Sequence, residues 1–168
     1  MLLKYLLAPI ALAMAAVPNE EASISKDLDL NVIVTVAEKF KQPIINACNR
    51  DGVQEVLNDL NEIYKPVVDI SNKFHLIEKI GKNLAFGEAR IFFGFIKVLE
   101  VIIRAISQHQ KVFDGVHQKL PEFEPKLDLI VTEFKKLDID FHNALEGFRI
   151  DIPLWARFGF KFQNKIGV

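Results

Sequence analysis

Apolar residues recur at every third or fourth position along most of the chain, which is the spacing of one face of an α-helix. Two such stretches, residues 30–47 and 53–74, each contain an internal proline, Pro43 in the first and Pro66 in the second. A proline inside a helix removes a backbone hydrogen bond and bends the axis. The pattern therefore predicts a kink in the first helix and a kink or a break in the second.

Turn-forming residues mark the expected ends of these helices. Asp51 is followed three residues later by Gln54, which fits a reciprocal cap at the start of the second helix. In "EKIGKN", Gly81 is predicted to end that helical region.

The third stretch, "ARIFFGFIKVLEVIIRAIS", is the most apolar: twelve of the sixteen residues from 91 to 106 are apolar. Charges nevertheless recur every seventh residue along it, at Arg90, Lys97, Arg104 and Lys111. Each charge at a bilayer centre would cost ~2.5 to 3.5 kcal/mol, which argues against insertion. We predict a buried helix that runs to about residue 110 and that neighbouring helices cover on most sides.

The last third of the chain continues the helical spacing. "FDGVHQKLPEFEP" is rich in turn residues and precedes a predicted fourth helix over residues 127–148. "PLWARFGFKFQ" fits a short fifth helix, although the alternation of Phe158, Phe160 and Phe162 would also suit an extended edge. The predicted fold class is all-α, a single-domain bundle of four to five helices.

The N-terminus has the order of a secretory signal peptide: one lysine, an apolar run, then small residues before an acidic pair. We predict a signal peptide over residues 1–15 and a single domain over residues 16–168. A membrane anchor is the alternative, but the apolar run is shorter than the ~20 residues that a span needs. The predicted location is therefore extracellular.

Charge and motifs argue against several function classes. With 21 basic and 22 acidic residues and no basic stripe, the chain does not suggest a nucleic-acid partner. Cys48 is the only cysteine and is read as a small core residue. In the sequence, Asp138, Asp140 and His142 resemble the ligands of a metal site. On a helix, however, only Asp138 and His142 would share a face. We predict neither an enzyme nor a cofactor or metal site.

Phenylalanine is the unusual feature, with 14 Phe against two Tyr and one Trp. A packed aromatic core is the simplest explanation. Neighbours such as Phe92, Phe93 and Phe95, however, cannot all face one bundle axis, and two kinked helices beside an apolar rod would separate unevenly. We therefore predict an internal hydrophobic cavity. Its predicted apolar walls are Phe40, Phe92, Phe95, Leu99, Ile102, Phe134 and Phe141.

Tyr64 and Ser71 are the candidate polar anchors for a ligand, because both lie on the core-facing side of the second helix. A buried hydroxyl must be hydrogen-bonded, and for Ser71 a backbone carbonyl one turn earlier is an equally good partner. Gly87 and Gly94, seven residues apart on one face, would allow close helix contact or leave room for a ligand.

The runs "VLEVIIRAISQHQKVFD" and "LDLIVTEFKKLDIDFHNALEGFRIDIP" resemble the secreted fungal family of hydrophobic surface-binding protein A and the cell-wall galactomannoproteins. The resemblance covers residues 91–153 most clearly and rests on apolar spacing, an Ala-Leu pair at Ala144 and Leu145, and Pro153. It implies a helical bundle that encloses a long-chain fatty acid such as arachidonic acid, with some members adsorbing to hydrophobic surfaces. Association with the cell wall is also implied, but this chain lacks the family's Ser/Thr-rich, glycosylated tail.

The leading hypothesis is a secreted protein that sequesters a long-chain fatty acid or another lipid inside a helical bundle. The alternative is a surface-adsorbing or partner-recruiting protein in which Trp155, Phe158, Phe160 and Phe162 form an exposed patch.

Overall fold

The computed structural model describes residues 20–166, and that part of the chain is helical with no β-strand, which confirms the all-α prediction. The predicted signal peptide lies outside the described residues. Two 3₁₀ turns, Phe74–Lys79 and Leu120–Phe123, interrupt the α-helices. The α-helices are α1 (Glu20–Asp27), α2 (Asn31–Cys48), α3 (Val53–Lys73), α4 (Lys82–Ser107), α5 (Gln110–Val116), α6 (Glu124–Lys136), α7 (Phe141–Ala144), α8 (Ile152–Arg157) and α9 (Gln163–Ile166).

Helices α2, α3 and α4 form the main packing unit, in which α2 packs against both of the others. Pro43 and Pro66 lie inside continuous helices, so the break considered at Pro66 does not occur. Ile63, Val67 and Ile70 are buried on either side of Pro66. Their shared apolar face keeps one helix axis in place although one backbone hydrogen bond is lost.

The reciprocal cap predicted at Asp51 was wrong. Asp51 has a left-handed backbone with φ of 57°, and the residue before α3 is Gly52, with no side-chain cap. The turn is closed instead by the backbone, since the N–H of Gly52 donates to the carbonyl of Ala47 at 2.8 Å. The stop predicted at Gly81 agrees with the structure: α3 passes into the 3₁₀ turn, which ends at Lys79, and Ile80 and Gly81 separate it from α4.

Helix α4 is the central rod, and its predicted burial is confirmed on most sides. It stops at Ser107, because His109 is extended and α5 then starts in a new direction. Arg90 and Arg104 are exposed, whereas Glu100, which lies between Lys97 and Arg104 in the sequence, is only 7% exposed and belongs to the interior. Within residues 20–166, no helix is long and apolar enough to cross a membrane.

The predicted fourth helix over residues 127–148 is instead two shorter helices, α6 and α7, with a turn after each. Helix α6 ends at Lys136, and Asp138 has a positive φ of 53° that a continuing helix could not contain. After α7, Glu146 and Gly147 are both left-handed, with φ of 52° and 74°. Most of the apolar residues at helical spacing are nevertheless buried, and Leu137 and Phe148 are half-buried. The periodicity therefore predicted the burial but not the breaks in the helix.

The C-terminal segment, residues 150–166, packs back onto the bundle as α8, a turn at Gly159 with φ of 81°, and α9. Trp155, Phe158, Phe160 and Phe162 are all buried there. The exposed aromatic patch on which the adsorption alternative depended is therefore wrong, and so is the extended edge. The indole and two of the phenyl rings pack against one another, so these side chains stabilise each other and do not face solvent.

Candidate functional site

The structure places most predicted wall residues in one aromatic interior. Phe92, Phe95, Leu99, Ile102 and Phe134 are fully buried, and Phe141 is nearly so. Five phenyl rings form a row across the bundle, and the centroids of neighbouring rings in it are 4.8 to 6.0 Å apart. In order, this aromatic row consists of Phe74, Phe134, Phe92, Phe93 and Phe141.

The three remaining predicted residues lie elsewhere. Phe40 is half-buried on α2, with the Nζ of Lys39 5.1 Å from its ring centroid. Tyr64 is half-buried between the Phe123 ring at 5.0 Å and the Nζ of Lys119 at 4.6 Å. Neither ring joins the aromatic row through the ring contacts described above.

Ser71 is buried, and its Oγ donates to the carbonyl of Val68 at 2.8 Å. The backbone alternative predicted for this hydroxyl is thus confirmed. Because the single proton of Ser71 is engaged, the hydroxyl could meet a ligand only as an acceptor.

A groove of 420 Å³ lies at the turn after α7. Its floor is apolar: Leu145 and Ile150 are nearly buried and Phe148 is half-buried. The left-handed pair Glu146 and Gly147 reverses the chain and so presents these side chains from one short segment. The complete lining is His142, Leu145, Gly147, Phe148, Arg149 and Ile150.

Two cations, Arg149 and Lys97, lie at this groove. Arg149 and the imidazole of His142 are exposed in its lining, and the Nζ of Lys97 lies 5.4 Å from the Phe148 centroid. Arg90 is already paired with Glu146. Among residues 20–166, neither Arg149 nor Lys97 forms an ion pair, so both charges are available to a bound anion.

Two further grooves differ in chemistry. One of 570 Å³ contains Lys82 and Asp138, whose charged atoms are 3.5 Å apart, beside Asn83, Phe86 and Asp140. The other, of 350 Å³, places Tyr64 among asparagines and the paired Glu62 and Lys65. Opposite charges neutralise each other in both. Only the first of the three combines an apolar floor with unpaired cations.

The residues considered for catalysis or metal binding have structural roles. Burial raises the pKa of the Cys48 thiol to about 11, so the thiolate needed for nucleophilic attack is scarce at neutral pH. Asp140 caps α7 by accepting the N–H of Asn143 at 3.1 Å, while Asp138 is fully exposed in its left-handed turn. No group of three potential metal ligands occurs in the described range.

Sequence reasoning missed Phe148, Arg149 and Ile150 as site residues because it extended a helix through residue 148. The available signal was Gly147: a glycine at the end of a helical pattern predicts a left-handed stop. That stop would have placed the following Phe-Arg-Ile in a surface loop, which is where binding residues concentrate.

No protein-family model matches this chain, and no curated protein or solved structure matches it either. The family resemblance therefore stays a prediction.

Proposed function

We propose that the protein binds a long-chain fatty acid or a similar anionic amphiphile. The observation that carries the proposal is the groove at residues 142–150, where an apolar floor lies beside Arg149 and Lys97, neither of them in an ion pair within the described chain. Its volume falls in the ~300 to 1,000 Å³ range of small-molecule sites. Burial of an acyl chain gains up to ~0.8 kcal/mol per methylene, while the cations select an anionic head group.

The acyl chain has a route toward the interior within this proposal. Phe141, the last ring of the aromatic row, directly precedes the groove residue His142, and its carbonyl accepts the N–H of the groove residue Leu145 at 2.9 Å. Edge-to-face ring pairs contribute ~0.5 to 1.5 kcal/mol each. Burial of two or three methylenes of the acyl chain would offset the free energy lost when one ring pair separates. Entry of the acyl chain from the groove therefore requires only a local opening.

The predicted signal peptide would make this protein a secreted carrier, extracellular or associated with a cell wall. The surface-adsorbing alternative is not proposed further, because the aromatic side chains that it requires are buried.

Native mass spectrometry of the purified protein and displacement of a fluorescent fatty-acid analogue by palmitate test the proposal. We expect a bound lipid or saturable, competitive displacement. An absence of bound lipid together with no saturable displacement would overturn it.

Arg149→Glu and Leu99→Ala distinguish binding in the groove from binding in the interior, and Lys135→Glu is the control. Arg149→Glu replaces a rim cation by an anion and should weaken binding at least ~10-fold, since an opposed charge replaces a favourable one. Lys135→Glu makes the same charge change on an exposed side chain of α6 outside the groove and should leave binding unchanged.

Leu99→Ala opens space in the interior. If the acyl chain lies in the interior, Leu99→Ala should tighten lipid binding or change the preferred acyl-chain length. If the acyl chain stays in the groove, Leu99→Ala should leave lipid binding unchanged.

A further inference from the structure

The groove at residues 142–150 has two cations and no acidic residue in its lining. Arg149 belongs to the lining, and Lys97 lies beside it on α4, with its Nζ 5.4 Å from the Phe148 ring centroid. Lys97 is half-buried, so salt screens its charge less than that of a fully exposed side chain. A carboxylate head group, with a single negative charge, would balance only one of these two cations.

The acidic side chains next to the groove are engaged elsewhere. Three of them lie within or close to the groove segment in the sequence, at positions 140, 146 and 151. Glu146 is paired with Arg90, and Asp151 is paired with Arg104 at 2.9 Å. Asp140 caps α7 and lines the groove of 570 Å³ instead. Within the described part of the chain, the two cations are therefore left to be balanced by a ligand or by solvent ions.

We propose that the groove selects a single-chain amphiphile with a phosphate monoester head group over one with a carboxylate. The inference rests on the proposed function and narrows its ligand class. A phosphate monoester carries a charge of about −1.5 to −2 at pH 7 and has three strong acceptor oxygens. It matches Arg149, whose guanidinium binds two oxygens of one phosphate, together with the point charge of Lys97.

The apolar floor favours an alkyl phosphate over free phosphate. Arg149 is exposed, and a charge pair at an exposed site contributes little binding free energy by itself. Contact of an alkyl chain with Leu145, Phe148 and Ile150 supplies the affinity, while the head group supplies the selectivity. The groove volume of 420 Å³ is in the lower half of the ~300 to 1,000 Å³ range of ligand sites, which favours one alkyl chain over two.

Displacement of a fluorescent fatty-acid analogue from the full chain tests the inference. The competitors are hexadecyl phosphate, hexadecyl sulfate and palmitate, each below its micelle concentration, at about pH 8, where the phosphate is dianionic and histidine is neutral. Hexadecyl sulfate has the same chain and a tetrahedral head group but only one charge. We expect hexadecyl phosphate to bind at least ~10-fold more tightly than the sulfate or palmitate, because it meets both cations. Inorganic phosphate should not displace the probe.

Charge-removing variants show whether the preference comes from the groove. Lys97→Gln and Arg149→Gln should each reduce the preference for phosphate over sulfate to less than ~3-fold, since one cation is left. Lys135→Gln removes a charge from an exposed side chain of α6 outside the groove and should retain the full preference. Circular dichroism checks that all three variants fold.

The outcomes separate this inference from the proposed function. If all three hexadecyl-length competitors displace the probe with equal affinity, the proposed function stands and the phosphate preference is overturned. Displacement by inorganic phosphate at the same concentration also overturns it, because the apolar floor then adds nothing. So does a preference that survives in both Lys97→Gln and Arg149→Gln. If none of the three amphiphiles displaces the probe, the proposed function itself fails, and this inference fails with it.

Discussion

The packing unit of α2, α3 and α4 and the C-terminal segment of residues 150–166 are stabilised in different ways. The long helices supply their own backbone hydrogen bonds and bury one broad apolar face each. The C-terminal segment has helices of six and four residues and is held by its buried aromatic side chains and by polar contacts with the rest of the chain. The main polar contact is made by Glu100, which accepts the indole N–H of Trp155 at 2.8 Å and the backbone N–H of Asp151 at 3.0 Å. We therefore expect single substitutions to act globally in the helices and locally in the segment.

Trp155→Ala should have the largest effect. The indole packs against Phe160 at 4.9 Å and Phe162 at 5.1 Å, so its removal leaves a cavity and lowers the free energy of unfolding by ~3 to 5 kcal/mol. Hydrogen exchange should show protection lost first in residues 150–166. Leu99→Ala, the matched change in α4, should cost ~2 to 5 kcal/mol with protection lost evenly. Equal patterns in the two variants would refute the proposed difference between the regions.

Glu100→Ala comes next. It leaves the indole N–H of Trp155 and the backbone N–H of Asp151 without their acceptor, at ~1 to 3 kcal/mol for each buried donor that water cannot reach. Urea denaturation measures the total loss. Glu38→Ala breaks an exposed ion pair with Lys41 on α2 and should cost less than ~1 kcal/mol. Similar costs for the two variants would mean that Glu100 does not make the main polar contact of the segment.

The difference between long helices and short attached segments also explains which features could be predicted from the sequence. Burial of Ile33, Leu60 and Phe92 follows from spacing, because a long amphipathic helix has one way to hide its apolar face. The left-handed turn at Asp138 does not follow, because Asp138 lies within an unbroken helical pattern that the tertiary packing overrides, whereas Gly147 was a local signal for the turn at Glu146. The contact of Glu100 with Trp155, 55 residues away, has no local signal, and a glutamate spaced with lysines and arginines looks solvent-exposed.

Asp151→Ala should have a smaller effect than Glu100→Ala. The Asp151 side chain caps α8 by accepting the N–H of Leu154 at 3.1 Å and also pairs with Arg104 at 2.9 Å. Loss of a cap costs ~0.5 to 2 kcal/mol. Asp140→Ala removes the corresponding cap of α7 without a long-range ion pair and should cost less. Thermal unfolding of both variants measures the difference, and a larger loss for Asp140→Ala would contradict this ranking.

The smallest effect is expected from a change in pH that acts on two carboxylates, Glu124 of α6, which contacts the C-terminal segment, and Glu88 of α4. Glu124 lies against residues 161 and 162, and burial raises its pKa, although hydrogen bonds from the backbone N–H groups of those residues partly lower it again. Among the described residues, the Oε2 of Glu124 is buried without a hydrogen bond. Burial likewise raises the pKa of Glu88, which accepts the N–H of Leu30 at 3.2 Å between α4 and α2.

In both cases the folded state binds the proton more tightly than the unfolded state. The stabilising contribution is therefore fully present below the ordinary glutamate value of 4.5 and is lost as the pH rises through the higher folded-state pKa. Glu124→Gln and Glu88→Gln each remove the buried charge, so each variant should gain stability over the parent at pH 7.5, and the gain should shrink toward pH 4.5. Urea denaturation at the two pH values measures it. If the two regions differ as argued, the Glu124→Gln gain should appear as slower hydrogen exchange confined to residues 150–166, whereas Glu88→Gln should slow exchange throughout α2 and α4.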